Sequence, residues 1–178
     1  TGIALPSGGM RYDQGRVVDP RALVRYLAQK SSCYLDCDVA EIARADGGFH
    51  VITGDRRVFY FDQIVLAAGA DLDRFHQMLA VEGIPVDITT GQVSQVPAVA
   101  ALSGLQAGLS FGGYLTPAVE GWHELGASFD RTGLRKLSAA ADTANRDRLP
   151  AALAGLIPDP ALYRARVSRR ASTPDRGP

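Results

Sequence analysis

The sequence has few of the residues that build metal sites and disulfide frameworks. Its 178 residues include two cysteines, three histidines and one tryptophan. Cys33 and Cys37 are four positions apart and form no CxxC pair, and the histidines are scattered. Neither the spacing of a zinc site nor a disulfide framework is therefore present. We predict no metal, and this cysteine usage favours a reducing, cytoplasmic setting.

Long apolar runs and several common motifs are missing as well. No run approaches the ~20 apolar residues that a membrane-spanning helix needs. The first residues lack the charged and apolar regions of a signal peptide. The sequence contains no HExxH, P-loop or GxGxxG motif. We therefore expect no membrane partner, and no loop that binds a dinucleotide pyrophosphate within this chain.

The composition is that of a globular domain, with charge distributed unevenly. Hydrophobic residues make up 46% of the chain and charged residues 21%, which excludes a disordered acidic tail and a coiled coil. The net charge is zero, yet residues 131–178 carry +6 and the first 130 residues carry −6. A basic segment of this kind permits a polyanion-binding surface, but a solvated face is the commoner origin of clustered arginines.

The residue pattern predicts a helix, a β-meander and a buried strand in the first half of the chain. Leu23, Val24, Leu27 and Ala28 recur at helical spacing and predict a helix over Pro20–Gln29 with one buried face. Period-two alternation with Gly-containing turns predicts strands at 39–45, 49–53 and 57–61. The continuous apolar run at 64–68, which ends in Gly69, is typical of a strand buried on both faces.

The rest of the chain predicts short strands between two helices, which makes the fold an α+β domain. We expect a mixed, largely antiparallel sheet with flanking helices. Residues 151–163 read as a loop with at most one helical turn, and residues 1–10 as an opening strand or turn. The predicted helices are at 72–79 and 138–149, and the predicted strands at 92–96, 114–117, 122–128 and 165–170.

Several segments, in this order, resemble the FAD-dependent D-amino-acid oxidase superfamily. They read VVDPRALVRYLA, FDQIVLAAGA, TTGQVSQVP, GGYLTPAVEGWHELGASFDR, NRDRLP and RVSRRASTPDRGP. GQVSQVP and GYLTPAV with GASFDR are the most specific, and the similarity extends over essentially the whole chain. It is closest to members that modify wobble uridine in tRNA. Met10 stands where the family has tryptophan, so no stacking role is assigned there.

The resemblance implies that residues 1–178 are the central segment of an FAD-dependent oxidase domain. This segment corresponds to the substrate-binding subdomain together with a strand of the FAD-binding subdomain. The family's N-terminal GxGxxG unit and C-terminal FAD segment are absent from it. We therefore expect the chain alone to hold FAD poorly or not at all. Whether a methyltransferase domain is fused to the oxidase is left open.

The resemblance also assigns roles to individual residues. Arg170 matches the arginine that binds the substrate carboxylate, and Tyr114 matches the active-site tyrosine whose hydroxyl donates to the same group. Ala68 and Gly69 match the segment that approaches the flavin, and Gly91 and Gln92 lie in the stretch that lines the substrate side of the ring. From the residues alone, Tyr114 could equally be a core or interface tyrosine. Arg169, next to Arg170, is the other candidate for binding the carboxylate, and one of the two arginines could be a solvated surface charge. No role is assigned to the histidines.

The implied reaction is oxidation of a secondary amine in tRNA. Carboxymethylaminomethyl-(2-thio)uridine would become aminomethyl-(2-thio)uridine with release of glyoxylate. An oxidase of glycine or another small amino acid, which would use the same arginine and tyrosine, is the alternative. A non-catalytic RNA-binding module is a second alternative. The Ala-Ala-Gly strand end argues against this second alternative, because a pure binding module has no need of a cofactor-facing glycine.

Overall fold

A computed structural model describes residues 2–3, 8–34, 36–131 and 136–175. These residues form two compact units, Thr1–Asp19 with Thr89–Arg169 and Pro20–Ile88 with Arg170–Pro178. Antiparallel sheets with flanking helices make up both units, so the predicted α+β class is confirmed. Most of the predicted opening turn, at residues 4–7, and the final residues 176–178 lie outside the described residues.

The unit that contains residues 20–88 is a three-stranded antiparallel meander with two helices. Its three strands pair in chain order, with Ala45 opposite Gly48 at the first turn. Gly47 has a φ of +76°, which glycine adopts without the steric cost of a side chain. The predicted meander and both helices are confirmed. The elements are α1 (Pro20–Ala28), β1 (Val39–Ala45), β2 (Gly48–Thr53), β3 (Val58–Phe61) and α2 (Leu72–Leu79).

Two predictions of burial in this unit were wrong. The run at 64–68 is not a strand, because residues 63–68 are unpaired in the described structure and Val65 is 89% exposed. A strand buried on both faces needs a neighbouring strand and covering layers, and no described strand pairs with this segment. The apolar stripe of α1 is also exposed, at Leu23, Val24 and Leu27. Sequence periodicity therefore predicted the helix correctly and the burial of its apolar face wrongly.

The other unit is built on a five-stranded sheet. Its spatial order is β5 (Leu109–Ser110), β6 (Tyr114–Leu115), β7 (Trp122–Gly126), β4 (Asp87–Pro97) and β8 (Arg164–Ser172). Strands β5 and β6, β6 and β7, and β7 and β4 pair antiparallel. The predicted strands at 92–96 and 165–170 lie inside longer observed ones, and the short strand β5 was not predicted.

One face of this sheet carries the hydrophobic core. Val96, Leu115 and Leu125 are fully buried there, against Leu102 and Leu153 and other apolar side chains. Helix α3 (Ala139–Asp147) begins after Ser138, whose hydroxyl accepts a hydrogen bond from the Ala141 N–H. The segment predicted as a loop with at most one helical turn contains two, α4 (Ala151–Ala154) and a 3-10 turn at Pro160–Leu162. None of the described helices has the length and apolar character to cross a membrane.

Candidate functional site

The second face of the five-stranded sheet carries polar side chains that alternate with the core positions. Gln95 lies opposite Glu124, and Tyr114 lies opposite Gly126. Because successive side chains of a strand point to opposite faces, these positions face away from Val96, Leu115 and Leu125. We call this polar surface the site face. It is defined by Tyr114, Gln95, Trp122, Glu124, Arg164 and Arg166.

The Tyr114 ring lies close to Gly126, at the end of β7. A Cβ atom added to Gly126 would come within 2.8 Å of the Tyr114 hydroxyl, so glycine leaves room for the ring at this point. Burial raises the pKa of Tyr114, Glu124 raises it further by charge repulsion, and Arg166 opposes both. The phenol is therefore protonated at neutral pH. It can donate a hydrogen bond to an anion and cannot serve as a base.

A hydrogen-bonded row of polar side chains lies beside Tyr114. The Gln95 amide Nε2 donates to Glu124 Oε1 at 2.9 Å, and the Arg166 guanidinium donates to Glu124 Oε2 at 3.2 Å. Glu124 is half-buried, so this pair is screened less than a fully exposed one. The row holds the Arg166 guanidinium on the site face, where its remaining donors can bind an anion. Sequence reasoning missed it, because Glu124 and Arg166 are 42 residues apart.

Trp122 and Arg164 form a stacked pair on the same face. The guanidinium carbon of Arg164 lies 4.2 Å from the centroid of the Trp122 ring, which is within the range of a cation–π contact. Along β8, Arg164 and Arg166 are exposed, while Ala165 and Val167 between them are half-buried. The alternation therefore presents both arginines on one side of the strand.

The predicted carboxylate-binding residue continues this alternation. Arg170 is exposed, whereas Arg169 is half-buried and engaged by other residues. Of the two neighbours, Arg170 is thus the one with an accessible guanidinium. Arg170 belongs to the unit that also contains Ala68 and Gly69, and Tyr114 belongs to the unit with the site face. Within its own unit, the structure brings Tyr114 together with Glu124 and Arg166.

Gly91 and Gln92, predicted to lie near the flavin, both make close contacts within their own unit. Gln92 is buried, and its Nε2 donates to the Ser138 carbonyl at 2.9 Å and to Asp142 Oδ1 at 2.8 Å. A Cβ atom on Gly91 would come within 2.9 Å of the Ser128 carbonyl oxygen. These contacts connect β4 to helix α3 and to the chain after β7. A role of the two residues in cofactor binding stays a prediction.

Ala68 and Gly69 lie at the end of the unpaired apolar segment. Gly69 has a φ of +54°, and a Cβ atom added to it would have no atom within 4 Å. Glycine adopts this left-handed conformation without the steric cost of a side chain. The space beside it is open, so a flat group can approach the main chain here. Whether a flavin does so stays a prediction.

Two other features of the unit with the site face do not form a catalytic centre. Residues 108–112 have the GxSxG spacing, but Ser110 lies in the two-residue strand β5 ahead of β6, whereas the nucleophile of that motif lies between a strand and a helix. His123 is 1% exposed, and its Nδ1 lies 2.8 Å from the Thr116 carbonyl. The contact is structural, and the ring borders a cavity of about 410 Å³ that contains none of the predicted site residues. The described residues include no cluster of three metal-ligating side chains.

Comparison with known proteins identifies the family. The profile of the family described as FAD dependent oxidoreductase matches residues 3–178. The chain belongs to this family, as the sequence resemblance predicted.

The sequence is also similar to particular members. It is 34% identical over 131 residues to the tRNA 5-methylaminomethyl-2-thiouridine biosynthesis bifunctional protein MnmC of Pseudomonas putida, a match that covers 72% of this chain. It is 35% identical over 133 residues to the protein of the same name from Shewanella oneidensis, a match that covers 71% of this chain. The chain spans about a fifth of the length of these curated relatives, 20% and 19% respectively.

Solved structures give the same fold. The glycine oxidase of Geobacillus kaustophilus matches with a TM-score of 0.63 and 21% identity, over 89% of this chain and 42% of that chain. The glycine oxidase of Bacillus cereus matches with a TM-score of 0.58 and 19% identity, over 82% of this chain and 40% of that chain. At these identities the likeness shows the fold and not the substrate.

FAD is the cofactor of this family, and the described residues fit one end of it. The open backbone at Ala68 and Gly69 suits the approach of a flat ring, since nothing lies within 4 Å of a Cβ atom at Gly69. A pyrophosphate is usually held by a glycine-rich loop at a helix N-terminus, and the sequence has no GxGxxG. The open backbone at Ala68 and Gly69 is thus compatible with the ring of FAD, whose binding there stays a prediction, and the sequence has no GxGxxG loop for the phosphates.

Proposed function

We propose that this chain is the central, substrate-binding part of an FAD-dependent oxidase that acts on a secondary amine in tRNA. The substrate is carboxymethylaminomethyl-(2-thio)uridine at the wobble position, and the products are aminomethyl-(2-thio)uridine and glyoxylate. The observation that carries the proposal is the identity of 34% over 131 residues to a tRNA-modifying relative. The site face supports it, because a protonated phenol beside a guanidinium suits an anionic substrate.

The proposed chemistry converts an amine to an imine and then hydrolyses it. FAD, when bound, supplies the acceptor for a hydride from the carbon between the amine and the carboxylate. The amine nitrogen loses a proton, and the resulting carbon–nitrogen double bond is attacked by water. Cleavage leaves the primary amine on the uridine and an aldehyde next to the carboxylate, which is glyoxylate.

The chain's own residues hold the substrate for this step. The planar guanidinium of Arg170 can donate two parallel hydrogen bonds to the carboxylate, a geometry that lysine lacks. The Tyr114 hydroxyl donates a hydrogen bond to the substrate carboxylate, and the raised pKa of the phenol keeps the proton on its oxygen. Ala68 and Gly69 leave the main chain open to the ring. The proposal also includes a cytoplasmic location, because the substrate is tRNA.

An oxidase of glycine or another small amino acid is the second candidate. Two glycine oxidases have the same fold, with TM-scores of 0.63 and 0.58, so the fold is compatible with such a substrate. The same carboxylate-binding pair would serve, because glycine also presents a carboxylate next to an amine-bearing carbon. The site face extends beyond Tyr114 to the Arg164–Trp122 pair, which a substrate as small as glycine would not cover.

The two candidates are separated by substrate. The full-length protein that contains this chain, loaded with FAD, is mixed under anaerobic conditions with carboxymethylaminomethyl-tRNA or with glycine. Rapid loss of the flavin absorbance with the modified tRNA, and none with glycine, supports the proposal. Loss with glycine alone would assign the chain to an amino-acid oxidase.

A further inference from the structure

The stacked pair of Arg164 and Trp122 is part of the site face but has no role in holding a carboxylate at Tyr114. Arg164 is exposed, and its cation–π contact with Trp122 is the interaction that the structure gives it. Within the described part of the chain, no acidic side chain forms an ion pair with Arg164. Its positive charge is therefore uncompensated, in contrast to that of Arg166, which is paired with Glu124.

The contact with Trp122 gives the Arg164 guanidinium a favoured orientation. The guanidinium carbon lies 4.2 Å from the centroid of the Trp122 ring, so the indole shields one side of the group, and the exposure of Arg164 leaves the other side accessible. A guanidinium is weakly hydrated for a cation and stacks on aromatic rings. Single-stranded RNA is recognised by stacking of unpaired bases on aromatic side chains and on guanidinium planes. A base placed on Arg164 would complete a layered stack of indole, guanidinium and base.

The Arg164–Trp122 pair lies at a distance from Tyr114 that a nucleotide next to the reacting one can span. Trp122 is four residues before Gly126, the residue opposite Tyr114 on the adjacent strand. At the rise of a β-strand this places Trp122 about 13 Å from the end of β7 where Tyr114 lies. This distance exceeds the size of a single amino acid and is within the span of two successive nucleotides in a single strand.

We propose that Arg164 and Trp122 form a stacking site for an unpaired RNA base next to the nucleotide whose side chain is oxidised. This inference rests on the proposed function, because it assigns the occupant of the site face as a tRNA anticodon loop. The partner is single-stranded RNA, recognised by a base plane and by negative charge. Its test is a binding measurement that does not depend on turnover.

The experiment measures the affinity of the FAD-loaded full-length protein for an unmodified anticodon stem-loop RNA by fluorescence anisotropy. Arg164→Ala and Trp122→Leu should each weaken binding about 5- to 150-fold, the range for the loss of one base stack. Arg164→Lys keeps the charge and loses the plane, so it should weaken binding nearly as much while leaving the salt dependence of the dissociation constant unchanged. Trp122→Phe should bind within about threefold of the wild type, because a ring remains.

Lys136→Ala is the matched control, since it removes an exposed positive charge of the same unit that has no place in the stack. It should change the affinity less than twofold at physiological salt. Flavin content and circular dichroism verify that each variant is folded. If Trp122→Leu does not fold, Arg164→Lys still decides the question.

Each outcome has one meaning. Wild-type affinity in Arg164→Lys combined with a loss in Arg164→Ala would show a phosphate contact and overturn the stacking site. Unchanged affinity in both Arg164 variants would also overturn it, even when modified tRNA is oxidised normally and the proposed function stands. Arg164-dependent RNA binding by a protein that fails to oxidise modified tRNA would support the stacking site and refute the proposed function.

Discussion

Helix α3 is held against strand β4 by a buried hydrogen-bond network, and Asn145 is its central member. Asn145 is 1% exposed, and its Nδ2 donates to the Gln92 carbonyl at 3.1 Å and to the Ser94 hydroxyl at 3.0 Å. The Ser94 hydroxyl in turn donates to Asp142 Oδ1 at 2.5 Å. Because Gln92 and Ser94 lie on β4 behind the site face, this network supports the sheet that carries Tyr114.

Replacing Asn145 by alanine should destabilise this unit by about 2–3 kcal/mol. Three hydrogen bonds are lost: the two from Nδ2, at roughly 1 kcal/mol each, and the longer one that Oδ1 accepts from Arg148 at 3.3 Å, which contributes less. Lost packing of the buried amide adds to this. The cost remains moderate because the two acceptors, the Ser94 hydroxyl and the Gln92 carbonyl, each keep another hydrogen bond. The Ser94 hydroxyl keeps its bond to Asp142, and the Gln92 carbonyl keeps the Ser128 N–H at 3.0 Å.

Asn145→Asp should be at least as destabilising as Asn145→Ala, although it preserves the shape of the side chain. It replaces the donor by a carboxylate oxygen that faces the Gln92 carbonyl, near the Asp142 carboxylate. An unpaired buried charge is costly. Arg148, whose guanidinium lies 3.3 Å from Asn145 Oδ1, offsets part of this cost from the opposite side.

The assay is urea unfolding of the 178-residue chain, followed by tryptophan fluorescence. The chain has one tryptophan, Trp122, and it lies in β7 of the same unit as the network. Asp147→Ala, an exposed change on the same helix, is the control and should shift the free energy of unfolding by less than about 0.5 kcal/mol. A stability of Asn145→Ala equal to that of the wild type, or a loss in Asp147→Ala as large as in Asn145→Ala, would refute this reasoning.

Three further predictions concern the site and the pH dependence of stability. Arg170→Ala in the FAD-loaded full-length protein should lower kcat/KM for modified tRNA about 10- to 150-fold, because a charge-assisted contact to the carboxylate is lost. Steady-state glyoxylate release measures this, and Arg170→Lys should recover only part of the loss. Tyr114→Phe should raise KM several-fold in the same assay, because the hydroxyl donor is removed. Burial raises the pKa of Tyr163 to about 12, so its neutral form stabilises the fold and this contribution is lost as the pH rises from 10 towards 12. Tyr163→Phe should lessen the alkaline loss of stability, measured by urea unfolding at pH 8 and pH 11.

Specific outcomes contradict these predictions. An unchanged kcat/KM in Arg170→Ala removes that residue from the substrate site. Wild-type kinetics in Tyr114→Phe would make Tyr114 a packing residue over Gly126. If Tyr163→Phe loses as much stability between pH 8 and pH 11 as the wild type does, the titration belongs to another group.

Local sequence signals predicted those parts of the fold that depend on local interactions. The turn between β1 and β2 contains Gly47 at a positive φ, and the alternating residues on either side made the strands recognisable. Helix α2 was predicted with the observed bounds, Leu72–Leu79, from its apolar spacing. In contrast, the run at 64–68 has the composition of a buried strand but no pairing partner among the described strands. The same limit applies to α1, whose apolar face was predicted to be buried and is exposed.

The site was predicted only in part, for a similar reason. Tyr114 and Arg170 were identified through the family resemblance, since nothing in their local sequence marks them. The contacts of Glu124 with Arg166 and of Trp122 with Arg164 each join residues about 42 positions apart, and the sheet order β7-β4-β8 brings them together. Gln92 shows the reverse case. The family resemblance assigned it to the stretch that lines the flavin ring, and the structure gives its side chain hydrogen bonds to Ser138 and Asp142, so its cofactor role stays a prediction.

The most direct test of the account is anaerobic flavin bleaching in the full-length protein that contains this chain. The purified protein is mixed with unmodified tRNA, with carboxymethylaminomethyl-tRNA and with free glycine, and its visible absorbance is followed. The account predicts a yellow protein that is bleached by the modified tRNA and by neither of the other two. Bleaching by glycine alone would contradict the tRNA assignment, and a colourless protein that takes up no FAD would contradict a working flavin site.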